Sequence, residues 1–471
     1  MKKPSPKSRP AKSLFSTENT RCFQSWSTVA HTQHTLRYAL PHDAMSDLEW
    51  FQCGYLPRGG GDGEDDPKRT THLTPCFPRD ENDDDVDHRP SLTTMYPGGW
   101  GFAVGSGNDG TLWSWGTCRD YLVESEFPDD GRPKEIQGRA PAGVGFASVL
   151  VADEKNKSDL VRLGWSGDSS DSSTTAVLAL GLALGSTDTL SNNKIKLKQL
   201  AAGDKHFLAL TDNGEVYSWG ENNKGQRGTE RNVDRNAATP VTTTSDTNNI
   251  KFTYTCAGSE HSVLLDSNGE VWTFGWGLHG QLGHDGCEDV SALKRVDALR
   301  GVGKFVQCSA GSAHTVLLTS LGSVYAFGSN RDGQLGVPPE ACVVGAAAGT
   351  PALVEFPWDS EVGDEGEDSN SSNSSNSSNT SVTFVSKISC GARHTCVVTK
   401  TSELCAWGWN GYGQLGLGDF EDRNVPTKVN LNSGEENTRN GERNEKKIVK
   451  SVACGKWHTV VGVTRISDTS D

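Results

Sequence analysis

No stretch of this 471-residue chain approaches the roughly 18 consecutive apolar residues of a membrane-spanning helix, and its first residues hold no apolar signal-peptide core. These absences predict a soluble, intracellular protein that contacts no membrane. Long amphipathic helical patterns are missing as well, which removes helical bundles from consideration. The 12 cysteines form neither a Cys-x-x-Cys pair nor a zinc-finger spacing, so thiols kept reduced for packing are expected, with no metal and no cofactor. Positive charge is in short supply, 45 basic against 60 acidic residues for a net charge of −15, which disfavours nucleic acid and anionic surfaces except where basic residues cluster. They cluster at Lys2, Lys3, Lys7, Arg9 and Lys12, among Pro4, Pro6 and Pro10.

Glycine is abundant, at 53 residues, and much of it belongs to an internal repeat. A glycine, two variable residues and a histidine recur at Gly203-Asp204-Lys205-His206, Gly258-Ser259-Glu260-His261, Gly311-Ser312-Ala313-His314, Gly391-Ala392-Arg393-His394 and Gly455-Lys456-Trp457-His458. Four copies continue through an apolar run and a turn to an aromatic-glycine pair: Trp219-Gly220, Phe274-Gly275, Phe327-Gly328 and Trp407-Gly408. Beyond these lie Gly280-Gln281-Leu282-Gly283, Gly333-Gln334-Leu335-Gly336 and Gly413-Gln414-Leu415-Gly416, with a weaker copy at Gly225-Gln226-Arg227-Gly228. A repeat of this size is one supersecondary unit that buries its apolar face only against its neighbours.

The local chemistry is that of strands. His261-Ser262-Val263-Leu264-Leu265 and Val271-Trp272-Thr273-Phe274 are rich in β-branched and large apolar residues and are separated by Asp266-Ser267-Asn268-Gly269, a hairpin signal repeated at Asn213-Gly214. Each unit reads as one four-stranded blade.

These phrases resemble the repeats of the regulator of chromosome condensation family, strongly over residues 200–465 and weakly over 90–185. The resemblance implies an all-β, seven-bladed β-propeller. Worn copies support that number: Gly101 to Gly116 keeps the turn and aromatic pair without the histidine, and Ala147 to Trp165 has the spacing of two hairpin strands. The last repeat supplies only Trp457 to Val463, so Glu49-Trp50-Phe51-Gln52-Cys53-Gly54 is expected to complete its blade, giving six blades inside the chain and one shared between its ends.

Domain organisation follows: a basic, disordered tail at 1–45, a propeller at 46–465, and a short tail at 466–471. Residues 56–90, 361–381 and 432–447 are polar and read as disordered insertions. Spacing agrees, since consecutive repeat histidines lie 53 positions apart from His261 to His314, but 80 from His314 to His394 and 64 from His394 to His458.

The repeat histidines invite a catalytic reading, but a general base needs one site with an orienting partner, whereas these five recur with the period of the fold. They are expected to hydrogen-bond backbone groups and fix their blades, while Trp219, Phe274, Phe327 and Trp407 pack between blades; no residue is assigned a catalytic role. Cys390 and Cys454 directly precede a repeat glycine, and Cys256 and Cys308 lie close before theirs, which marks small buried positions. The dinucleotide-like Gly275 to Gly280 and Gly105 to Gly110 precede no helix, and Asp80, Asn82 and Asp84 open a calcium-like loop whose glycine position holds Asp85. His31 and His34 stand without a third ligand, and the sequons near Asn370 are not expected to carry glycans.

Three functions fit. The first is a non-enzymatic interaction propeller that binds partner proteins through its loop faces as a monomer. The second, implied by the founding branch of the resembled family, is a guanine-nucleotide exchange factor for a Ran-like small GTPase, whose wedge would fall in Thr117 to Ala140. The third is an ultraviolet-B receptor-like protein, for which Gly455-Lys456-Trp457-His458-Thr459 is the matching phrase. The basic tail reads as a nuclear import signal, a chromatin-touching arm, an organellar transit peptide or a solubilising tail, which leaves cytoplasm, nucleus and organelle open.

Overall fold

The computed structural model describes residues 48–56, 68–76, 91–98, 103–115, 134–136, 139–144, 148–152, 159–164, 176–179, 197–230, 233–235, 238–241, 250–359, 382–431 and 446–466. The basic tail, the run 361–381, the calcium-like loop, His31, His34 and most of Thr117 to Ala140 lie outside these residues.

Every sheet is four-stranded and antiparallel. Six are built from strands consecutive in the chain. Sheet 1 spans Leu92–Pro97, Ala103–Gly107, Leu112–Trp115 and Lys134–Ile136, and sheet 2 spans Arg139–Val144, Ser148–Ala152, Asp159–Gly164 and Ala176–Ala179. Sheet 3 runs from Leu197–Ala202 to Thr239–Pro240, sheet 4 from Phe252–Ala257 to Val290–Arg295, sheet 5 from Phe305–Ala310 to Ala347–Leu353, and sheet 6 from Val385–Cys390 to Arg423–Lys428. The remaining sheet, sheet 7, is composite: Lys446–Cys454 and His458–Ile466 pair with Glu49–Leu56, which pairs with Lys68–Pro75. First strands of successive sheets touch in order from sheet 1 to sheet 7, and sheet 7 touches sheet 1 again. The arrangement is a propeller.

Burial explains why the second strands carry unbroken apolar runs between their polar ends. His206–Thr211, His261–Asp266, His314–Thr319 and His394–Thr399 are buried at all six positions, because each blade is covered on both faces by its neighbours and alternation is unnecessary. Outer strands such as Val290–Arg295 and Arg423–Lys428 bury one residue each. The core is accordingly a series of seams: Leu208, Leu210 and Val216 meet Phe252, Leu264 and Phe274 between sheets 3 and 4, and Val316, Val324 and Leu335 meet Ile388, Val397 and Trp407 between sheets 5 and 6.

Two expectations need correction. The stretch 56–90 is not wholly an insertion, since Lys68–Pro75 is the outer strand of sheet 7, and Lys446 and Lys447 begin a strand rather than close a loop. An outermost strand faces solvent, so the polar run Lys68-Arg69-Thr70-Thr71-His72 satisfies it without an apolar signature. The turns differ too: at Asn213-Gly214 and Asn268-Gly269 only the glycine is left-handed, with φ +81° at Gly214 and Gly269, and the strands the turns join pair in unbroken register. In sheet 6 a serine occupies that place, Ser402, at φ 65°.

Candidate protein-binding face

Three repeated contacts lock the blades and place the repeat residues. The first is backbone. In each Gly-x-x-His turn the residue after the glycine donates its amide to the next sheet's turn, from Asp204 to Ser259, Ser259 to Gly311, Ser312 to Ala392, Ala392 to Lys456 and Lys456 to Gly98, at 3.0–3.3 Å. These turns ring an axial cavity of about 140 Å³ whose wall includes Gly203, Gly258, Gly311, Gly391 and Gly455. Glycine is required there because a β-carbon would overlap both its own histidine ring and the next turn's glycine carbonyl.

The second contact runs through the histidines and was expected to end on backbone groups directly. Instead the Nε2 atoms of His206, His261, His314 and His394 lie 3.0, 3.0, 3.2 and 3.0 Å from the hydroxyls of Ser262, Thr315, Thr395 and Thr459 in the following blade. Each hydroxyl donates its only proton to a glutamine carbonyl of the histidine's own blade: Ser262 to Gln226 at 2.7 Å, and Thr315, Thr395 and Thr459 to Gln281, Gln334 and Gln414 at 2.8 Å. Toward the histidine the hydroxyl therefore accepts, which puts the ring proton on Nε2. Nδ1 is left as a buried acceptor with no partner among the described residues in all five rings. Burial lowers the imidazole pKa to about 4 at His206 and about 3 at His261, His314 and His458. Enclosed rings with a committed Nε2 proton are brackets between blades and supply no general base.

The third contact is apolar. The closing glycines Gly228, Gly283 and Gly336 sit against Phe274, Phe327 and Trp407 of the next blade, as expected, and Trp407 Nε1 donates to the Gln334 carbonyl at 3.0 Å. Trp219 stacks on Phe207 of its own sheet, centroids 5.6 Å apart, and the side chains of the preceding sheet 2 lie outside the described residues. In sheet 7 the corresponding place is taken by Cys53, against Gly416, and Gly54 repeats the left-handed glycine of the other blades at φ +106°. The N-terminal strand thus imitates a repeat strand without its aromatic.

The same geometry builds a surface. In every clear blade the residue after the aromatic-glycine pair donates its amide to the residue before the histidine, at 2.8–2.9 Å, so those two side chains stand together. The pairs are Lys205 with Glu221, Glu260 with Trp276, Ala313 with Ser329, Arg393 with Trp409, and Trp457 with Tyr55. Fold leaves these positions free to vary, and chemistry concentrates at sheets 6 and 7. Trp409 meets Trp457 and Tyr412 edge to face at 5.1 Å each, and Tyr412 meets Tyr55 at 5.2 Å. The Arg393 guanidinium lies 5.1 Å above the Trp409 ring and is held by both carboxylate oxygens of Asp332 from sheet 5. Arg69 lies 5.2 Å over Tyr412. Trp409, Tyr412, Trp457, Tyr55 and Arg393 are all half-buried, so the patch is fixed in place yet reachable. Sequence reasoning passed over it because Trp409, Tyr412 and Tyr55 lie outside the repeat's invariant letters.

The regulator of chromosome condensation (RCC1) repeat is matched at residues 213–265, 268–318, 322–362 and 402–461, and a second description of it at 197–226, 252–281, 305–334 and 385–414, together more than half of the chain. The chain belongs to the family of proteins built from these repeats. It is 34% identical over 255 residues to the ultraviolet-B receptor UVR8 of Arabidopsis thaliana, covering 52% of this chain and 50% of the receptor. To RCC1 domain-containing protein 1 of Homo sapiens it is 33% identical over 215 residues, covering 43% and 54%. The chain thus spans about half the length of these curated relatives. Among solved structures, Prp20p of Saccharomyces cerevisiae superimposes with a TM-score of 0.64 at 18% identity over 90% of this chain and 93% of that one. Human WBSCR16 gives 0.63 at 20% identity over 88% and 99%. At such identities the likeness is one of fold.

Proposed function

We propose that the chain is a non-enzymatic, seven-bladed interaction module, six blades contiguous and one composite, that grips a partner protein through the aromatic patch of sheets 6 and 7. The observation that carries this reading is the cluster of Trp409, Tyr412, Trp457, Tyr55 and Arg393: tryptophan, tyrosine and arginine, partly desolvated and pre-ordered, are the residue types that dominate binding energy at protein interfaces. Ordering before binding also lowers the entropic cost of association. The test is paired affinity capture with the wild-type chain and with Trp409→Ala/Trp457→Ala. Proteins retained by the first and lost by the second support the reading; identical sets from two folded baits contradict it.

A second reading rests on the edge-to-face Trp409–Trp457 pair beneath Arg393, together with the similarity to an ultraviolet-B receptor. It requires a change of oligomeric state or of partner binding under ultraviolet-B illumination, which the first reading does not. Guanine-nucleotide exchange stands as a further alternative supported by fold alone, since Prp20p is described by its binding to Gsp1p and histones. Accelerated nucleotide release from a purified Ran-like GTPase is its signature.

A further inference from the structure

The seam between sheets 6 and 7 differs from the other described seams in its chemistry. His394 and Cys396 are two residues apart on one strand and so share a face, and that face meets Cys454 on the first strand of sheet 7. At equivalent places the seam of sheets 3 and 4 carries His206, Leu208 and Ala257, and the seam of sheets 4 and 5 carries His261, Val263 and Ala310. The seam of sheets 5 and 6 carries His314, Val316 and Cys390. Among the described residues only the seam of sheets 6 and 7 joins an imidazole to two thiols.

A ring nitrogen of His394 and the sulfurs of Cys396 and Cys454 all lie within 4.8 Å of one another. A fourth donor stands among them: the Thr459 hydroxyl oxygen is 3.0 Å from His394 Nε2, 3.7 Å from Cys396 Sγ and 3.9 Å from Cys454 Sγ. Metal–sulfur bonds of about 2.3 Å and metal–nitrogen bonds of about 2.0 Å place the corners of a tetrahedron roughly 3.3–3.8 Å apart, a spacing that the ring nitrogen and two sulfurs, all within 4.8 Å of one another, reach by side-chain movement of about 1 Å or less. Sulfur and imidazole without a carboxylate favour a soft cation over calcium or magnesium. Cys454 also forms part of the axial cavity wall.

We propose that His394, Cys396 and Cys454, with Thr459 as a weak fourth donor, bind one thiophilic d10 cation, Zn2+ or Cu(I), that clips the composite sheet 7 to sheet 6. Ligation through His394 Nε2 replaces its hydrogen bond to Thr459, the ring proton moving to Nδ1, and uses both cysteines as thiolates with their protons released to solvent. The clip ties the two C-terminal strands of the composite sheet 7, Lys446–Cys454 and His458–Ile466, to sheet 6.

The test uses the full chain, reduced and stripped of metal, titrated with Co2+ as a spectroscopic probe and separately with Zn2+ and Cu(I). Expected are thiolate-to-cobalt charge-transfer bands at one equivalent, bleached by Zn2+ or by Cu(I), the more effective ion identifying the cation. Cys396→Val and Cys454→Ala install residues that other blades carry at the same places, so each should fold and bind at least tenfold more weakly, whereas Cys390→Ala should bind as the wild type does. Absence of the bands in the wild-type chain, or bands of equal strength in the Cys396 and Cys454 variants, overturns the proposal.

Discussion

Acidification should unfold this propeller through its histidines, and the size of the effect follows from the blade brackets. His206, His261, His314 and His458 are fully buried and neutral, with pKa values lowered by burial to about 4, 3, 3 and 3, against about 6.5 in an unfolded chain. A depressed folded-state value means that the unfolded chain binds protons first, so this stability is present above pH 6.5 and is lost as pH falls. Each ring loses about 1.4 kcal/mol between pH 7.5 and 5.5, and the four together about 5 kcal/mol. That is a large part of the roughly 5–15 kcal/mol by which domains are stable. Urea unfolding at constant ionic strength at pH 7.5, 6.5 and 5.5 measures it, and His261→Gln should flatten the slope below pH 6.5 by about one proton. A stability constant to within about 1 kcal/mol over this range, or a slope untouched by His261→Gln, would falsify the assignment of neutral, bracketed rings.

Other substitutions test separate parts of the account. Thr395→Val keeps shape but strands the His314 Nε2 proton and leaves the Gln334 carbonyl with the Trp407 indole as its donor, and should cost about 1–3 kcal/mol by chemical denaturation. Ser402→Gly, relieving the left-handed backbone at φ 65°, should raise stability by about 0.5–1 kcal/mol, read as a higher denaturation midpoint at unchanged slope. Gly311→Ala forces a methyl into the His314 ring and the Gly391 carbonyl, and should be recovered mainly as unfolded protein by circular dichroism. Trp409→Ala should weaken partner binding at least tenfold, about 1.4 kcal/mol or more, while leaving the melting temperature nearly unchanged.

The repeat made the blade legible because its letters are those with no alternative. A glycine whose β-carbon would strike a histidine and a carbonyl, and an aromatic against a neighbouring glycine, leave a period that survives in the sequence. What escaped reading was held by less distinctive chemistry. The hydroxyl after each histidine, Ser262, Thr315, Thr395 or Thr459, completes the bracket, yet a serine or threonine in a strand is common. Lys68–Pro75 is an outer strand, where polar residues suffice, and its composition matched that of a loop. Glu49 to Gly54 was recognisable by its aromatics and glycine, although Cys53 stands where other blades place a large ring. The binding face was least visible. Its residues occupy variable positions that the hydrogen-bonded turns bring together, and sequence spacing does not show that Tyr55 and Trp457 become neighbours.

The central claim is that the half-buried aromatics of sheets 6 and 7 form the binding face. Amide hydrogen exchange on the purified chain with and without its captured partner addresses it directly. The account predicts slowed exchange in the segments around Tyr55, Arg393, Trp409 to Tyr412 and Trp457, with sheets 3 and 4 unchanged. Slowed exchange confined to the outer strands or to sheets 3 and 4 would contradict it.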